Sequence, residues 1–300
     1  MKFSMNKVAT ATMATVAVLA MSAGSALAVP VFTINSAAIT GQPDTSVVVG
    51  DKFAGSSSEL LTTAAGGHTG SGWLQINNLD LLGSSQKAFG APGNTYGLFV
   101  SYYLKDTYVS GGSGIDTPNS VNAVQTLDFR VFADPLHKNV FTQAGVSPLT
   151  NATYTDPGTD DILLGFGTLI TGVSGFNSLG GAAFNSIEQF SLCTAANTSV
   201  SGTTNTSAVK DHTLALFAAG CTSGAGKAFF VNPDPFFSLA FTEFNNTTQG
   251  ITRDGLGHTA INQATGAVDF INVPEPGSLA LVGIALAGLG VSSRRNKAAS

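Results

Sequence analysis

Alternating apolar residues, turn residues spread along the whole chain and a shortage of charge predict an all-β protein, built as an antiparallel β-sandwich or jelly-roll-like domain. The clearest alternation sets Tyr96, Leu98, Val100, Tyr102 and Leu104 against Gly97, Phe99, Ser101, Tyr103 and Lys105, the period of two that gives a strand one drier face. With 35 glycines and 11 prolines in 300 residues, long helices have few places to form. Charged residues make up only 10 % of the chain, against about 25 % in an average soluble domain. Ser, Thr, Asn and Gly supply the missing polarity, and an apolar content of 43 % with 20 phenylalanines is enough for a core.

At the N-terminus, Lys2 and Lys7 precede an uncharged apolar run at residues 8–20 and small residues ending in Ala26-Leu27-Ala28. That is the order read by export machinery and signal peptidase. Residues 1–28 therefore read as a signal peptide, with Ala26 and Ala28 at the cleavage site. A β-rich extracellular domain is expected over residues 29–272.

Within that span, Leu127, Phe129 and Val131 alternate with Asp128 and Arg130. Ile162, Leu164, Phe166 and Ile170 form one apolar face opposite Gly165 and Gly167, and Phe237, Leu239 and Phe241 form another. Each reads as a strand. Weaker strands are expected at 73–77, 187–193, 213–218, 229–231 and 267–273. Gly111-Gly112-Ser113-Gly114, Asp134-Pro135, Asp156-Pro157-Gly158, Gly180-Gly181 and Asn232-Pro233-Asp234-Pro235 are each expected to break a ladder. Residues 194–208, nearly all small, hydroxyl or amide, read as a long exposed loop. No fixed-period repeat is present, which argues against a propeller or solenoid.

The two cysteines, Cys193 and Cys221, both fall in the exported part and are expected to pair in an oxidising compartment. Closing that loop would stabilise the fold by about 3 to 4 kcal/mol on the chain-entropy model. Neither has a C-x-x-C neighbour, so zinc and redox roles have no support. Between residues 29 and 276, eight basic residues meet 18 acidic ones, a net charge of −10. Such a surface repels phosphate backbones and argues against nucleic-acid binding.

Enzyme signatures mostly fail. Gly172-Val173-Ser174-Gly175 carries its second glycine one place too early for a nucleophile elbow. Gly226-Lys227-Ala228 lacks the hydroxyl of a phosphate loop. His68, His137, His212 and His258 lie far apart; a glycosidase needs two facing carboxyls, for which Glu188 and Glu243 are candidate members. One acidic group is more suggestive. Asp156, Asp160 and Asp161 surround Pro157-Gly158-Thr159, a turn able to gather oxygens around Ca²⁺ or simply an Asx-type turn opening a strand. No other cofactor is expected. Among aromatic residues suited to stacking on sugar rings, Trp73, Tyr96, Tyr102, Tyr103 and Tyr108, the alternation sends Tyr96 and Tyr102 to the core and leaves Tyr103 and Tyr108 at the surface.

The most specific pattern lies at the C-terminus. Val273-Pro274-Glu275-Pro276-Gly277 leads into an uncharged stretch ending at Val291, followed by Arg294, Arg295 and Lys297. The flanking prolines hold Glu275 on extended backbone. A helix over residues 277–291 would span roughly 22 Å, short of a hydrocarbon core of about 30 Å, and the basic stop would keep its end on the cytoplasmic side. This tail resembles the PEP-CTERM sorting signal of exported bacterial proteins. The resemblance implies processing by exosortase, with Glu275 read by that enzyme, transient inner-membrane insertion, and a final place at the cell surface or in the extracellular matrix alongside exopolysaccharide. Tyr96-Gly97-Leu98-Phe99, Asp161-Ile162-Leu163-Leu164-Gly165-Phe166-Gly167 and Asn232-Pro233-Asp234-Pro235-Phe236-Phe237-Ser238-Leu239 further resemble the flocculation-associated PEP-CTERM family of floc-forming bacteria. That likeness implies a non-enzymatic role in cell aggregation through retained polysaccharide, and it carries over no catalytic residue. The competing expectation is a secreted carbohydrate-active enzyme or a carbohydrate-binding adhesin.

Overall fold

The computed structural model describes residues 30–271 apart from 65, 91–95, 112–116, 118, 177–183, 195–198, 206–224, 235, 238 and 246–249. Its strands, in chain order, are β1 (Phe32–Asn35), β2 (Val47–Gly50), β3 (Lys52–Ala64), β4 (Gly67–Leu81), β5 (Ser84–Ala88), β6 (Gly97–Ser110), β7 (Val121–Asp134), β8 (Val140–Thr142), β9 (Gly145–Val146), β10 (Leu149–Thr150), β11 (Thr153–Phe176), β12 (Phe184–Ser191) and β13 (Ser199–Asn205). The one-turn helix α1 (Ala225–Phe229) precedes β14 (Phe230–Asn232), β15 (Leu239–Asn245), β16 (Ile251–Arg253) and β17 (His258–Ile271). All pairings are antiparallel. The all-β antiparallel class is therefore as the alternation predicts.

The large sheet runs β12-β15-β17-β3-β4-β6-β7-β11 and then returns to β12, because β11 also pairs with β12. Closure leaves these strands no free edge over the paired stretch, which removes a route to uncontrolled strand addition. The two layers expected of a sandwich are the opposing walls of this one closed sheet. Its interior is lined by Leu61 from β3, Leu74 and Ile76 from β4, Leu98, Val100, Tyr102 and Leu104 from β6, Leu127 and Phe129 from β7, and Val268 and Phe270 from β17. The drier face read from β6 is this interior.

A small sheet, β14-β1-β2, packs against one part of the core. It brings a cluster of phenylalanines with it. Phe32 meets Phe270 at 4.8 Å edge-on and Phe53 at 5.1 Å, while Phe230 meets Phe236 at 4.7 Å. Edge-to-face and tilted contacts of this kind add to the gain from burying each ring.

The exterior does not follow the expected rule of one wet face. Phe99, Phe132, Tyr154, Leu163, Phe166 and Cys193 form a second buried cluster, and Leu60, Trp73, Ala144, Ala152 and Ala260 a third. The excursion carrying β8–β10 covers them. Phe141 packs on Trp73 at 5.0 Å and on Phe99 at 5.3 Å, and Trp73 Nε1–H donates to the Thr142 carbonyl at 3.0 Å. Ser58 Oγ accepts from the Ala144 N–H at 2.8 Å and donates to Asn262 Oδ1, whose Nδ2–H returns to the Ala144 carbonyl at 2.9 Å.

Two expectations need correction here. Phe166 does not share a face with Leu164: the register between β11 and β7 slips between Leu163 and Gly165, and a one-residue bulge sends the following side chains to the other face. Leu164 thus joins the interior and Phe166 the outer cluster. Residues 199–205, expected as loop, are strand β13. Asp156-Pro157-Gly158 interrupts the β11–β13 ladder as expected, although β11 itself continues beyond the break. The strand expected at 213–218 lies outside the described residues.

Phe32→Ala would remove a fully buried ring in contact with three other phenylalanines and is expected to cost about 3–5 kcal/mol of stability, readable by chemical denaturation. A second outcome concerns pH. Lys87 forms an ion pair with Asp44 and lies over the rings of Phe89 and Tyr96 at 5.8 and 5.3 Å. Burial works to raise the Asp44 pKa, but the Lys87 ammonium and the Ser46 hydrogen bonds outweigh it and hold the carboxyl below its ordinary value of 3.8. A depressed carboxylate stabilises the fold above its unfolded pKa, and the benefit is lost as pH falls through the folded one. Lys87→Met should therefore shift the acid transition to higher pH in melting curves recorded below about pH 5. An unchanged transition would show that the pair contributes nothing.

Candidate functional site

β7 ends at Asp134 because Pro135 has no N–H to continue the ladder. The turn that follows carries His137, at a φ of 50°, and Asn139. Next to β7 in the sheet, β11 carries a large bulge: its register with β13 passes from Asp156↔Gly202 directly to Asp161↔Val200. Residues 157–160 are thus pushed out of the ladder, with Thr159 at a φ of 52°. The turn read from the sequence exists, but inside a strand. It faces the β7–β8 turn, and between them they gather Asp134, Asn139, Asp156, Asp160 and Asp161.

Three of these carboxylates share one arrangement. Asp134 Oδ2 accepts the Asn139 N–H at 2.8 Å, Asp156 Oδ2 accepts the Asp161 N–H at 3.2 Å, and Asp161 Oδ1 accepts Asn139 Nδ2–H at 2.8 Å. In each case the second oxygen, Asp134 Oδ1, Asp156 Oδ1 and Asp161 Oδ2, is buried with no hydrogen-bond partner, and so is Asn139 Oδ1. Asp134, Asp156 and Asp161 are only 2, 3 and 1 % exposed. Asp160 reaches over Gly158 toward the same place as Asp156 Oδ1, and a Cβ at Gly158 would collide with Asp160 Oδ1.

Among the described residues no ion pair reaches these four carboxylates. Burial pushes the Asp161 carboxyl up to about 8; the Asn139 hydrogen bond opposes this, and the charges of Asp156, Asp134 and Asp160 add to it. Asp160 is raised by burial and then by Asp134 and Asp156, against the pull of Lys138 and the Leu136 N–H. No three His, Cys, Asp or Glu side chains among the described residues already surround a common metal position. Asp134 and Asn139 were not legible as partners of the Asp156 group. The Asp-Pro and Asn turn residues were visible, but only the adjacency of β7 and β11 brings the two segments together.

A second polar cluster ties four neighbouring strands. Asp106 Oδ1 accepts the His68 backbone N–H at 2.8 Å and lies 2.8 Å from His68 Nδ1, while Asp106 Oδ2 accepts from Ser174 Oγ at 2.7 Å and from Asn122 Nδ2 at 3.1 Å. These are the residue types of a hydrolase triad. The connectivity differs: the serine hydroxyl is bonded to the carboxylate and not to the imidazole, so no base is placed to take its proton. All four side chains are buried, and the cluster fastens β4, β6, β7 and β11 to one another.

The remaining sequence candidates disperse. Trp73, Tyr96 and Tyr102 are buried in the cores, so Trp73 offers no open face to a sugar. Tyr103 and Tyr108 are half-buried, and Tyr108 Oη–H donates to the Gly111 carbonyl at 2.8 Å. The register sets Glu188 opposite Thr242 and Glu243 opposite Ile187, positions of opposite parity on adjacent strands and not a facing pair. Cys193 is buried and exchanges backbone hydrogen bonds with Phe166 at 2.8 and 3.0 Å. No described cysteine is free, and Cys221 lies outside the described residues. So do Ala26 and Ala28, Pro274, Glu275 and Pro276, and Arg294, Arg295 and Lys297. Among the described residues no helix is long and apolar enough to cross a membrane.

Residues 272–295 match the model of the PEP-CTERM protein-sorting motif. No curated protein and no solved structure matches the chain. The chain carries the substrate signal of exosortase and is thereby an exported protein, processed at the membrane and sorted to the cell surface.

Proposed function

We propose that the closed β-domain acts at the cell surface or in the extracellular matrix as a non-enzymatic aggregation protein, helping to hold exopolysaccharide to cells and so promoting flocculation or biofilm growth. The observation that carries this reading is the sorting motif at residues 272–295. Its N-terminal counterpart is the signal peptide over residues 1–28, cut between Ala28 and Val29 by signal peptidase. In support stands an exported body poor in charge and rich in Ser, Thr and Asn, whose hydroxyls and amides suit contact with hydrated polymer. Transient insertion by residues 277–291, with Arg294, Arg295 and Lys297 as the stop, presents Pro274-Glu275-Pro276 to exosortase.

Replacing Pro274, Glu275 and Pro276 together by alanine should leave the chain uncut in the membrane fraction. Cells carrying that variant should lose flocs and release polysaccharide of unchanged chain length into the medium, as should cells lacking the protein. Flocs that persist in both strains would sink the aggregation role. Polysaccharide that becomes longer when the protein is absent would favour a secreted hydrolase instead.

The exported chain is further proposed to join Cys193 to Cys221. Peptide mapping without reductant should recover the linked fragments, and reduction should lower stability by about 3 to 4 kcal/mol. Two free thiols in the exported protein would dismiss the bridge.

A further inference from the structure

We propose that the β7–β8 turn and the β11 bulge together form a binding site for one Ca²⁺ ion, with Asp134, Asn139, Asp156, Asp160 and Asp161 as its oxygen donors. The unpaired oxygens carry the inference. A buried carboxylate without a partner is costly, and costlier beside others of its kind. Here Asp134, Asp156 and Asp161 are each at least nine-tenths buried, and each holds one oxygen on a protein N–H while the other has no partner. That division of labour is how a ligating carboxylate is built: one oxygen is fixed by the surrounding shell and the other is left for the ion. Asn139 follows the same rule, its amide N–H spent on Asp161 and its Oδ1 unpaired.

The donor set selects the ion. All donors are oxygen, which suits a hard cation and not a thiolate- or imidazole-seeking metal. Mg²⁺ demands near-ideal octahedral geometry and keeps several waters, whereas Ca²⁺ accepts six to eight oxygens in irregular, dehydrated surroundings. A site assembled from two loops, with three acids nearly sealed from solvent, fits the second description. Gly158 leaves the space over which Asp156 Oδ1 and Asp160 converge, and any Cβ would fill it. Asp160 is less buried as a residue than the other three, yet both its carboxylate oxygens are themselves buried beside Asp156 Oδ1, so it adds donors to a shell that the described side chains do not close alone. One divalent ion answers the repulsion among four acids that no ion pair among the described residues relieves.

The test uses the full chain, purified in detergent and stripped of metal with a chelator that is then removed. Isothermal titration with CaCl₂ should give one ion per chain at submillimolar to millimolar affinity, the range of about 10⁻⁴–10⁻³ M seen in extracellular modules. Melting temperature should rise with Ca²⁺, and far less with Mg²⁺. Asp161→Asn and Asp134→Asn should each weaken binding by about tenfold or more. Asp254→Asn, at an acid bonded instead to His258, should leave it unchanged. If either site variant fails to fold by circular dichroism, Asn139→Ser, which keeps every charge, supplies the reading through the same loss of affinity. A natively folded chain that takes up no Ca²⁺ at about 10 mM overturns the proposal. So does binding that persists in the folded site variants, or a response to Mg²⁺ equal to that to Ca²⁺.

Discussion

The double pairing of β11 is the constraint on which the rest of the architecture depends. One edge of this 24-residue strand follows β7, while the other meets β13 in its first half and β12 in its second. The β12 contact closes the sheet. A closed antiparallel sheet needs stagger and local twist, and bulges are the usual means of providing both. β11 contains three register breaks on its way to closure: between Leu163 and Gly165 against β7, between Asp156 and Asp161 against β13, and between Leu169 and Thr171 against β12. The first moves Phe166 to the outer cluster. The second extrudes the acidic turn. The carboxylate knot is therefore placed by the same strand that completes the fold, and its position follows from sheet geometry, not from a separate insertion.

Closure also explains why both faces of the central strands are dry. The interior takes one set of alternate residues, and the β8–β10 excursion covers much of the other. Polar groups caught under that cover need partners. Ser58, Asn262 and the Ala144 backbone satisfy one another, and Trp73 finds the Thr142 carbonyl. Arg130 is treated differently. It is 2 % exposed, its burial lowers the guanidinium pKa against the pull of Tyr154, and it rests over the Phe132 ring at 5.5 Å. A delocalised, weakly hydrated cation on an aromatic face tolerates such a place better than a lysine would.

How much of this was legible depended on whether a signal is local. The β6 interior face was readable because its five alternating residues need no partner to reveal their period, and Asp134-Pro135 marked the end of β7 by proline chemistry alone. β3 was not read as a strand: its Gly55-Ser56-Ser57-Ser58 run carries no apolar alternation, yet it is a central strand between β17 and β4. Tertiary pairing overrides weak propensity there. Phe166 was assigned to the wrong face because a bulge leaves no trace in a period-two pattern until the partner strand is known. The acidic site was half readable. Asp156, Asp160 and Asp161 stand together in sequence, but Asp134 and Asn139 join them only through the neighbouring strand.

Charge then limits how the proposed hold on polymer can work. Residues 29–276 carry a net charge of −10, so direct attraction to an acidic polysaccharide, or to a second copy of the chain, is opposed at long range and relieved only as salt screens it. Two attractive routes remain. One is contact through neutral hydroxyl and amide groups, which are abundant in this sequence and indifferent to salt. The other is neutralisation by divalent cations. The buried knot cannot bridge to a polymer, because its oxygens face inward, but filling it would remove part of the charge that resists close approach. The proposed retention of polysaccharide and the proposed occupancy of the knot are thus physically separable. A chain with an empty knot keeps its neutral contact surface and loses only the charge relief.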